Sequence, residues 1–250
     1  MKITVVGCAG SFPNAQSAAS CYLLEAEGFR LVIDMGNGAF GALQRYAGFD
    51  EIDAVCVSHL HGDHCLDLGA FAIARQYAPG GPRLPVPVYG PRGTAERLGP
   101  VFGLVTDELA GRFTVHELAL GHAEIGPFTI VTDHMNHPVE TFGFRVQHRD
   151  WTLAYSADTG ESDALVRLAR DADLLLCEAS FLDKPGNTPD VHLSARQAGE
   201  HAAKAGAGEL VLTHLVAFND PARSLAEAAG AFDGTVSLAA PGKKFGPGAL

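Results

Sequence analysis

A run of metal-ligand side chains constrains this chain more than any other feature of its sequence. Residues 58–64 read SHLHGDH, directly after the apolar segment Ala54–Val57, which the pattern predicts to be a short buried strand. Imidazole nitrogens and carboxylate oxygens are ligands that Zn²⁺ accepts, at about 2.0–2.2 Å. Alternate residues of a strand end point the same way, and Gly62 is expected to permit a sharp turn into the next helix. The run therefore predicts a metal site with four ligand candidates: His59, His61, Asp63 and His64.

Further ligand candidates follow later predicted strands. Residues 133–137 read DHMNH, and Asp158 and His214 each come directly after or close behind a predicted strand. Loops at one edge of β/α layers gather in space, so these side chains can share one cleft with the first run. Together they supply five histidines and two aspartates, enough for two metals with open coordination positions, if one histidine of 133–137 contributes. Both His134 and His137 are candidates for that place.

Strand-like and helix-like segments alternate along the whole chain. The predicted strands are Ile3–Gly7, Ser20–Glu25, Phe29–Asp34, Ala54–Val57, Val86–Tyr89, Phe113–Leu118, Phe128–Thr132, Thr141–Gln147, Thr152–Ser156, Leu174–Cys177 and Leu210–Thr213. The predicted helices are Asn37–Tyr46, Asp67–Gln76, Arg92–Leu98, Ser162–Ala169, Ala195–Ala205 and Pro221–Ala229. No repeat or composition shift marks a boundary, so we expect one domain over residues 1–250. A β-rich half followed by a β/α half suggests two sheets between helical layers.

The charge balance and the cysteines limit the partners and the compartment. The 18 Lys and Arg residues against 29 Asp and Glu give a formal net charge of -11, and no basic patch stands out for extended nucleic-acid binding. The five cysteines show no CxxC spacing, which is typical of thiols in a reducing compartment. The first residues read as a strand instead of a signal peptide, and no run is long enough to span a membrane. We expect a cytoplasmic protein.

The ligand pattern resembles the metallo-β-lactamase superfamily, and more closely its phosphodiesterase branch of ribonuclease Z-like enzymes and bacterial cyclic-nucleotide phosphodiesterases. Three further stretches are similar to that branch: VGCAGSFP at 6–13, LVIDMG at 31–36 and PVETFGF at 138–144. The last of them favours His137 over His134. Asp67 departs from the pattern, because a glycine is usual there. The resemblance implies an α/β fold, the four-layer αββα metallo-β-lactamase-like sandwich.

The resemblance also implies two metal positions and a proton donor. The implied ligands are His59, His61 and His137 for the first metal, Asp63, His64 and His214 for the second, and Asp158 bridging both. Two zinc ions are expected, with Mn²⁺ or Fe as alternatives. By the same resemblance, His192 contacts the phosphate and acts as the general acid, and Glu178 orients it; the other reading of His192 is a histidine that precedes a helix N-cap.

This site predicts a metal-dependent phosphoric diester hydrolase. Two metals about 3.5–4 Å apart can hold a bridging hydroxide that attacks phosphorus, with Asp63 both a ligand and its hydrogen-bond partner. His192 would protonate the leaving alkoxide. The expected substrate is a small phosphodiester, a 3′,5′-cyclic nucleotide or a related cyclic phosphate, because two predicted strands fill the span between His137 and Asp158, where ribonuclease Z-like enzymes carry a tRNA-gripping arm.

Several alternatives stay open. A ribonuclease Z-like tRNA 3′-processing endonuclease is the second reading, and a thioester or β-lactam hydrolase would use the same first run but not Glu178 and His192. A flavin-linked di-iron oxidoreductase would carry a flavodoxin domain, and a purely binding module would not need the full ligand set. We expect no membrane partner and no extended nucleic acid; a homodimer stays open.

Overall fold

The chain divides into two compact units in the computed structural model, which describes residues 1–101, 103 and 106–247. The described part of the first unit comprises residues 1–7, 12–101, 103, 106–119 and 241–247, and the second comprises 8–11 and 120–240. The single domain predicted over 1–250 includes residues 102, 104, 105 and 248–250, which lie outside the described residues, and it stays a prediction. Within the described part of the chain, no helix is long and apolar enough to cross a membrane.

The first unit is built on a mixed sheet. Its strands are β1 (Lys2–Ala9, whose last two residues belong to the second unit), β2 (Ala18–Ala19), β3 (Cys21–Ala26), β4 (Phe29–Ile33), β5 (Ala54–Cys56), β6 (Val86–Gly90), β7 (Phe113–Glu117) and β15 (Lys244–Phe245). They lie in the order β15-β1-β3-β4-β5-β6-β7, with β2 paired to β1. Strands β4 to β7 run parallel, so the carboxyl ends of β4 and β5 share one sheet edge. Asp34 directly follows β4, and the histidine-rich run of residues 58–64 begins just after β5.

Helices of the first unit bury apolar side chains against this sheet. They are α1 (Ala39–Leu43), α2 (Gly62–Cys65), α3 (Leu68–Gln76), α4 (Thr94–Val101) and α5 (Thr106–Ala110). Leu43, Phe71 and the strand residues Val32 and Val55 belong to one buried apolar cluster. The helix predicted over Asn37–Tyr46 is shorter than expected, because its N-cap residue adopts a left-handed conformation and the chain leaves the helix after Leu43.

The second unit contains a seven-stranded sheet. Its strands are β8 (Gly121–Ile125), β9 (Phe128–His134), β10 (Phe142–His148), β11 (Trp151–Tyr155), β12 (Leu174–Glu178), β13 (Glu209–Thr213) and β14 (Thr235–Leu238), in the spatial order β14-β13-β12-β11-β10-β9-β8. Strands β8 to β11 are antiparallel, whereas β11 to β14 run parallel. The carboxyl ends of β11, β12 and β13 therefore meet at one edge, and that edge carries polar side chains.

Three helices complete the second unit: α6 (Asp163–Leu168), α7 (Ala195–Ala205) and α8 (Pro221–Ala229). Ser194 and Gln197 form a reciprocal capping box at the start of α7, and Asp220 caps α8 ahead of its first-turn proline. A Cβ on Gly199 would lie 2.6 Å from the Ala228 carbonyl oxygen, so this glycine lets α7 and α8 approach closely. The predicted bounds of both helices are confirmed.

Candidate metal centre and active site

The histidine-rich run of the first unit turns sharply after β5. His59 follows the strand and is fully buried, His61 is the N-cap residue of α2, and Asp63 and His64 lie within that helix. The His59 ring centroid lies 4.7 Å from that of His61 and 4.1 Å from that of His64. Nε2 of His59 lies 3.1 Å from Nδ1 of His61, a spacing at which two imidazole nitrogens can face one cation. The run thus folds as a local cluster of ligand-type side chains.

A buried carboxylate fixes the orientation of this cluster. Asp34, directly after β4, lies 2.7 Å from Nδ1 of His64 through Oδ2 and accepts the Ser58 backbone N–H at 2.7 Å through Oδ1. The Ser58 hydroxyl donates to Oδ2 at 2.8 Å and lies 3.1 Å from Nδ1 of His59. Because the carboxylate accepts the Nδ1 proton of His64, Nε2 of that ring carries the lone pair that a metal requires. The sequence alone predicts no role for Asp34 or Ser58.

The glycine required at this turn is Gly36, not Gly62. Gly62 has no positive φ, and a Cβ built on it would meet nothing within 4 Å, so the expectation that it permits the sharp turn is wrong. A Cβ on Gly36 would instead collide with the backbone carbonyl of Asp63. The Met35 N–H donates to the His64 carbonyl at 2.7 Å, so the segment after β4 packs closely under α2. This close approach explains why a residue without a side chain is needed there.

The cysteine beside the run is not a ligand candidate. Cys65 is buried, and its Sγ–H donates to the His61 carbonyl at 3.3 Å. Burial raises the pKa of the Cys65 thiol to about 11. The thiolate form that binds metals is therefore disfavoured at neutral pH. Histidine and aspartate remain the ligand types that this turn offers.

Two strand ends of the second unit bring their polar residues together. Asp158 lies just beyond β11 and His214 directly follows β13; both are buried, and His214 Nε2 lies 3.4 Å from Asp158 Oδ1. Ala157 and His214 have φ values of 51° and 52°, left-handed conformations that non-glycine residues seldom adopt. Such strained conformations persist only where the surrounding structure holds them, and they cluster at functional sites. A Cβ on Gly10 would lie 2.5 Å from the His214 carbonyl oxygen, so Gly10 accommodates that turn.

The structure distinguishes between the two alternative ligand candidates, His134 and His137. His134 ends β9 with an exposed side chain, and its ring lies 4.7 Å from that of Phe142. His137 lies in the loop after β9, and its Nδ1 lies 2.9 Å from the carbonyl oxygen of Val191. A carbonyl can only accept, so Nδ1 of His137 carries the proton and Nε2 is the ligand-type nitrogen. This geometry favours His137.

Glu178 lies at the centre of a hydrogen-bond network. It ends β12, is fully buried, and receives the Thr159 backbone N–H and His192 Nδ1 on Oε1, both at 2.8 Å. The His192 side chain is 14% exposed, and its ring stands edge-on to Phe181. A buried carboxylate bonded to one ring nitrogen fixes the tautomer and the orientation of the imidazole. The two residues predicted to act as a pair are therefore in direct contact.

Ser180 links the same carboxylate to His214. Its hydroxyl donates to Glu178 Oε2 at 2.9 Å and lies 2.7 Å from Nδ1 of His214. Because the hydroxyl proton goes to the carboxylate, the oxygen accepts the Nδ1 proton of His214. Ligand-type atoms of Glu178, His192 and His214 all lie within 4.8 Å of one another. The sequence alone predicts no role for Ser180, because its contact with His214 joins residues 34 positions apart.

We expect Ser180→Ala to lower the metal affinity of the protein by about 10–100-fold, since residues that orient a metal-binding histidine typically contribute that much. Ser180→Thr keeps the hydroxyl and should restore most of the affinity. Ser224→Ala is the matched control, because Ser224 is equally buried and its hydroxyl donates to the Asp220 carbonyl at 3.4 Å, away from the proposed ligands. Competition with a chelator measures the affinity. An affinity loss as large in Ser224→Ala as in Ser180→Ala would contradict the role of Ser180.

Comparison with known proteins agrees with these features. Residues 30–215 match the family model described as the Beta-lactamase superfamily domain. The Mycobacterium tuberculosis protein "Uncharacterized protein Rv1339" is 44% identical over 242 residues, which cover 94% of this chain and 88% of the relative. "Probable metallo-hydrolase YhfI" of Bacillus subtilis is 33% identical over 97% of this chain and 98% of its own. "Ribonuclease Z" of Mycolicibacterium gilvum is 31% identical over 86% of this chain and 84% of its own.

The fold is shared with a solved structure over nearly the full length. The crystal structure of the metallo-β-lactamase fold protein YhfI from Bacillus subtilis superposes with a TM-score of 0.87 and 32% identity, covering 98% of each chain. The α/β fold class predicted from the sequence, with two sheets of the metallo-β-lactamase type, is thereby confirmed. The resemblance to ribonuclease Z-like proteins is confirmed as well.

Proposed function

The chain belongs to the β-lactamase superfamily and is a metallo-hydrolase, and from this premise we propose that it hydrolyses a small phosphodiester. The substrate class proposed is a 3′,5′-cyclic nucleotide or a related cyclic phosphate. The observation that carries the proposal is His192 Nδ1 bonded at 2.8 Å to the buried Glu178, beside His214. An alkoxide leaving group needs a proton, and an imidazole held by a buried carboxylate is suited to supply it.

The proposal includes two divalent metal ions, most readily Zn²⁺, with Mn²⁺ or Fe as alternatives. The proposed ligands are His59, His61 and His137 for one ion, Asp63, His64 and His214 for the other, and Asp158 for both. The orientation of three of these rings supports the assignment: Nδ1 of His64, His137 and His214 is bonded to Asp34, Val191 and Ser180 respectively. Second partners of this kind are what metal-binding histidines almost always have.

Each proposed catalytic residue has one task in the hydrolysis. When bound, the metals would activate a water molecule and neutralise charge on the phosphate oxygens. Asp63 would accept a hydrogen bond from that water and aim it at phosphorus. A new P–O bond would form from the water oxygen as the P–O bond to the leaving oxygen breaks, and His192 would give its proton to that leaving oxygen. The proton that the water loses would pass to solvent, from which His192 would be reprotonated for the next turnover. Glu178 would keep the His192 ring in position.

The small substrate is favoured over tRNA by the chain between His137 and Asp158. That span holds β10, β11 and the two-residue turn Arg149–Asp150, which leaves no insertion to grip a large RNA. The formal net charge of -11 also opposes binding of a polyanion. The similarity to ribonuclease Z keeps tRNA 3′ processing as the second candidate. A thioester or β-lactam hydrolase has less support, because neither reaction explains the Glu178–His192 pair.

We also propose that the protein acts in the cytoplasm. Its partner would be a small phosphodiester substrate, and it would bind neither extended nucleic acid nor a membrane. The buried positions of all five cysteines agree with a reducing compartment.

Metal-replete enzyme is expected to hydrolyse 3′,5′-cyclic nucleotides faster than it trims precursor tRNA, with little dependence on salt. A reaction that relies on many phosphate contacts would weaken by orders of magnitude between about 50 and 200 mM salt. Both substrates should be assayed side by side at these two concentrations. Efficient, salt-sensitive trimming of tRNA 3′ ends without turnover of small diesters would replace this function by the ribonuclease.

A further inference from the structure

A polar cavity of about 240 Å³ opens beside His192 within the second unit. Its wall is formed mainly by the loop between β12 and α7, and the side chains that matter here are Glu161, Asp183, Lys184, Asn187, Asp190 and His192. Pockets for drug-sized ligands usually measure about 300–1,000 Å³. The cavity is smaller than that range, so it suits one sugar or nucleoside and not an oligonucleotide.

The loop that forms the cavity is fixed at several points. The Asn136 amide donates to Asp190 Oδ1 at 2.8 Å, and the Asn187 amide donates to the Leu182 carbonyl at 2.8 Å. A Cβ on Gly160 would lie 2.6 Å from Asp190 Cα, so the loop lies directly against the segment that follows Asp158. These contacts preform the cavity, which lowers the entropic cost of binding a ligand there.

The position of His192 in the cavity wall indicates what the cavity receives. Its Nδ1 is bonded to Glu178, so Nε2 is the nitrogen that would give a proton to the leaving oxygen. Proton transfer requires the two atoms to lie within hydrogen-bond distance, so the group attached to the leaving oxygen has to lie next to His192. This step rests on the proposed function.

The charges of the cavity wall indicate the chemistry of the group that is attached to the leaving oxygen. Three carboxylates, Glu161, Asp183 and Asp190, face one ammonium group, Lys184, and Arg196 pairs with Asp183 at 2.7 Å. The remaining negative charge repels a further phosphate, whereas Asn187 and the carboxylates can bond to sugar hydroxyls. We propose that this cavity is the leaving-group subsite, that it takes a neutral, hydroxyl-rich sugar or nucleoside, and that it disfavours a leaving group with an additional phosphate.

A dinucleoside monophosphate tests the subsite, compared with the same compound carrying one extra phosphate at its 5′ or its 3′ end. Product analysis shows which nucleoside leaves. An extra phosphate on the leaving nucleoside should lower kcat/KM by about 3–10-fold, and higher salt should reduce the difference. Glu161→Gln removes a negative charge and should reduce the ratio of kcat/KM between the substrates without and with the extra phosphate. Lys184→Gln removes a positive charge and should increase that ratio. Asp150→Asn, a charge change in the β10–β11 turn at the far end of β11 from Asp158, should leave it unaltered.

Direct binding separates failure of the subsite from failure of the proposed function. Adenosine added to the metal-replete protein should shift the backbone NMR signals of the loop around Lys184 and Asn187, and Asp150→Asn should bind it equally well. Binding at this loop without turnover of any diester would uphold the subsite and overturn the hydrolysis. Turnover without discrimination, or adenosine shifts confined to other regions, would overturn the subsite.

Discussion

Replacing Asp158 with alanine is expected to remove metal and activity together. Asp158 is 2% exposed and is the only proposed ligand of both ions, so its loss weakens two coordination shells at once. We expect activity to fall by at least about 100-fold, and more metal to be lost than in His61→Ala, which affects one ion. Metal content per chain after dialysis and the rate on a small diester give the two readouts.

A matched pair of histidines controls this experiment. His137→Ala should also lower metal content, whereas His134→Ala should preserve it, because His134 is exposed on β9 and lies against Phe142. A ligand that binds only the folded state stabilises it, so added metal should raise the melting temperature of the wild type and of His134→Ala. The rise should be much smaller in Asp158→Ala. Full metal content in Asp158→Ala would remove the bridging assignment.

The apolar pattern of the sequence was sufficient to predict most of the fold. The predicted helices Ala195–Ala205 and Pro221–Ala229 have the observed bounds, because capping residues and a first-turn proline mark their starts. The buried parallel strands β5 and β12 were predicted within one residue at each end. Their continuous apolar runs are typical of strands covered on both faces.

Two of the strands that the sequence does not predict, β8 and β14, lie at the edges of the second sheet. Gly121–Ile125 ends one side of the second sheet, and its first four residues are exposed; Thr235–Leu238 ends the other side without a fully buried residue. Edge strands bury little and are often polar, so they lack the apolar alternation from which a strand is predicted. Backbone pairing with β9 and β13 forms these strands.

The candidate site was predictable only in part for a similar reason. Ligand-type residues such as His59 or His214 attract attention by their chemistry and by their place after a strand. Asp34, Ser58 and Ser180 are common residue types, and their roles depend on contacts with residues 24 to 34 positions away. No local pattern encodes such contacts. The sequence therefore predicts the ligands better than the residues that orient them.

His192→Ala is expected to lower kcat by about 10²–10⁴-fold on a 3′,5′-cyclic nucleotide, the usual contribution of a general acid, while metal content stays intact. The reason is chemical: an alkoxide leaves poorly without a proton, and Nδ1 of His192 is already bonded to Glu178 at 2.8 Å, which leaves Nε2 to act as the donor. His122→Ala, on the exposed edge strand β8, should leave kcat unchanged.

Substrates with different leaving groups distinguish two roles of His192: proton transfer to the leaving oxygen, or positioning of the phosphate. A nitrophenyl phosphodiester releases a stable phenolate, so its hydrolysis hardly needs a general acid. On this substrate, the loss of kcat caused by His192→Ala should shrink to about tenfold or less. A group that merely held the phosphate would affect both substrates equally. Measuring kcat and KM for both substrates in wild type, His192→Ala and His122→Ala separates the two roles. Equal losses of kcat on both substrates would exclude His192 as the proton donor and leave it a phosphate contact.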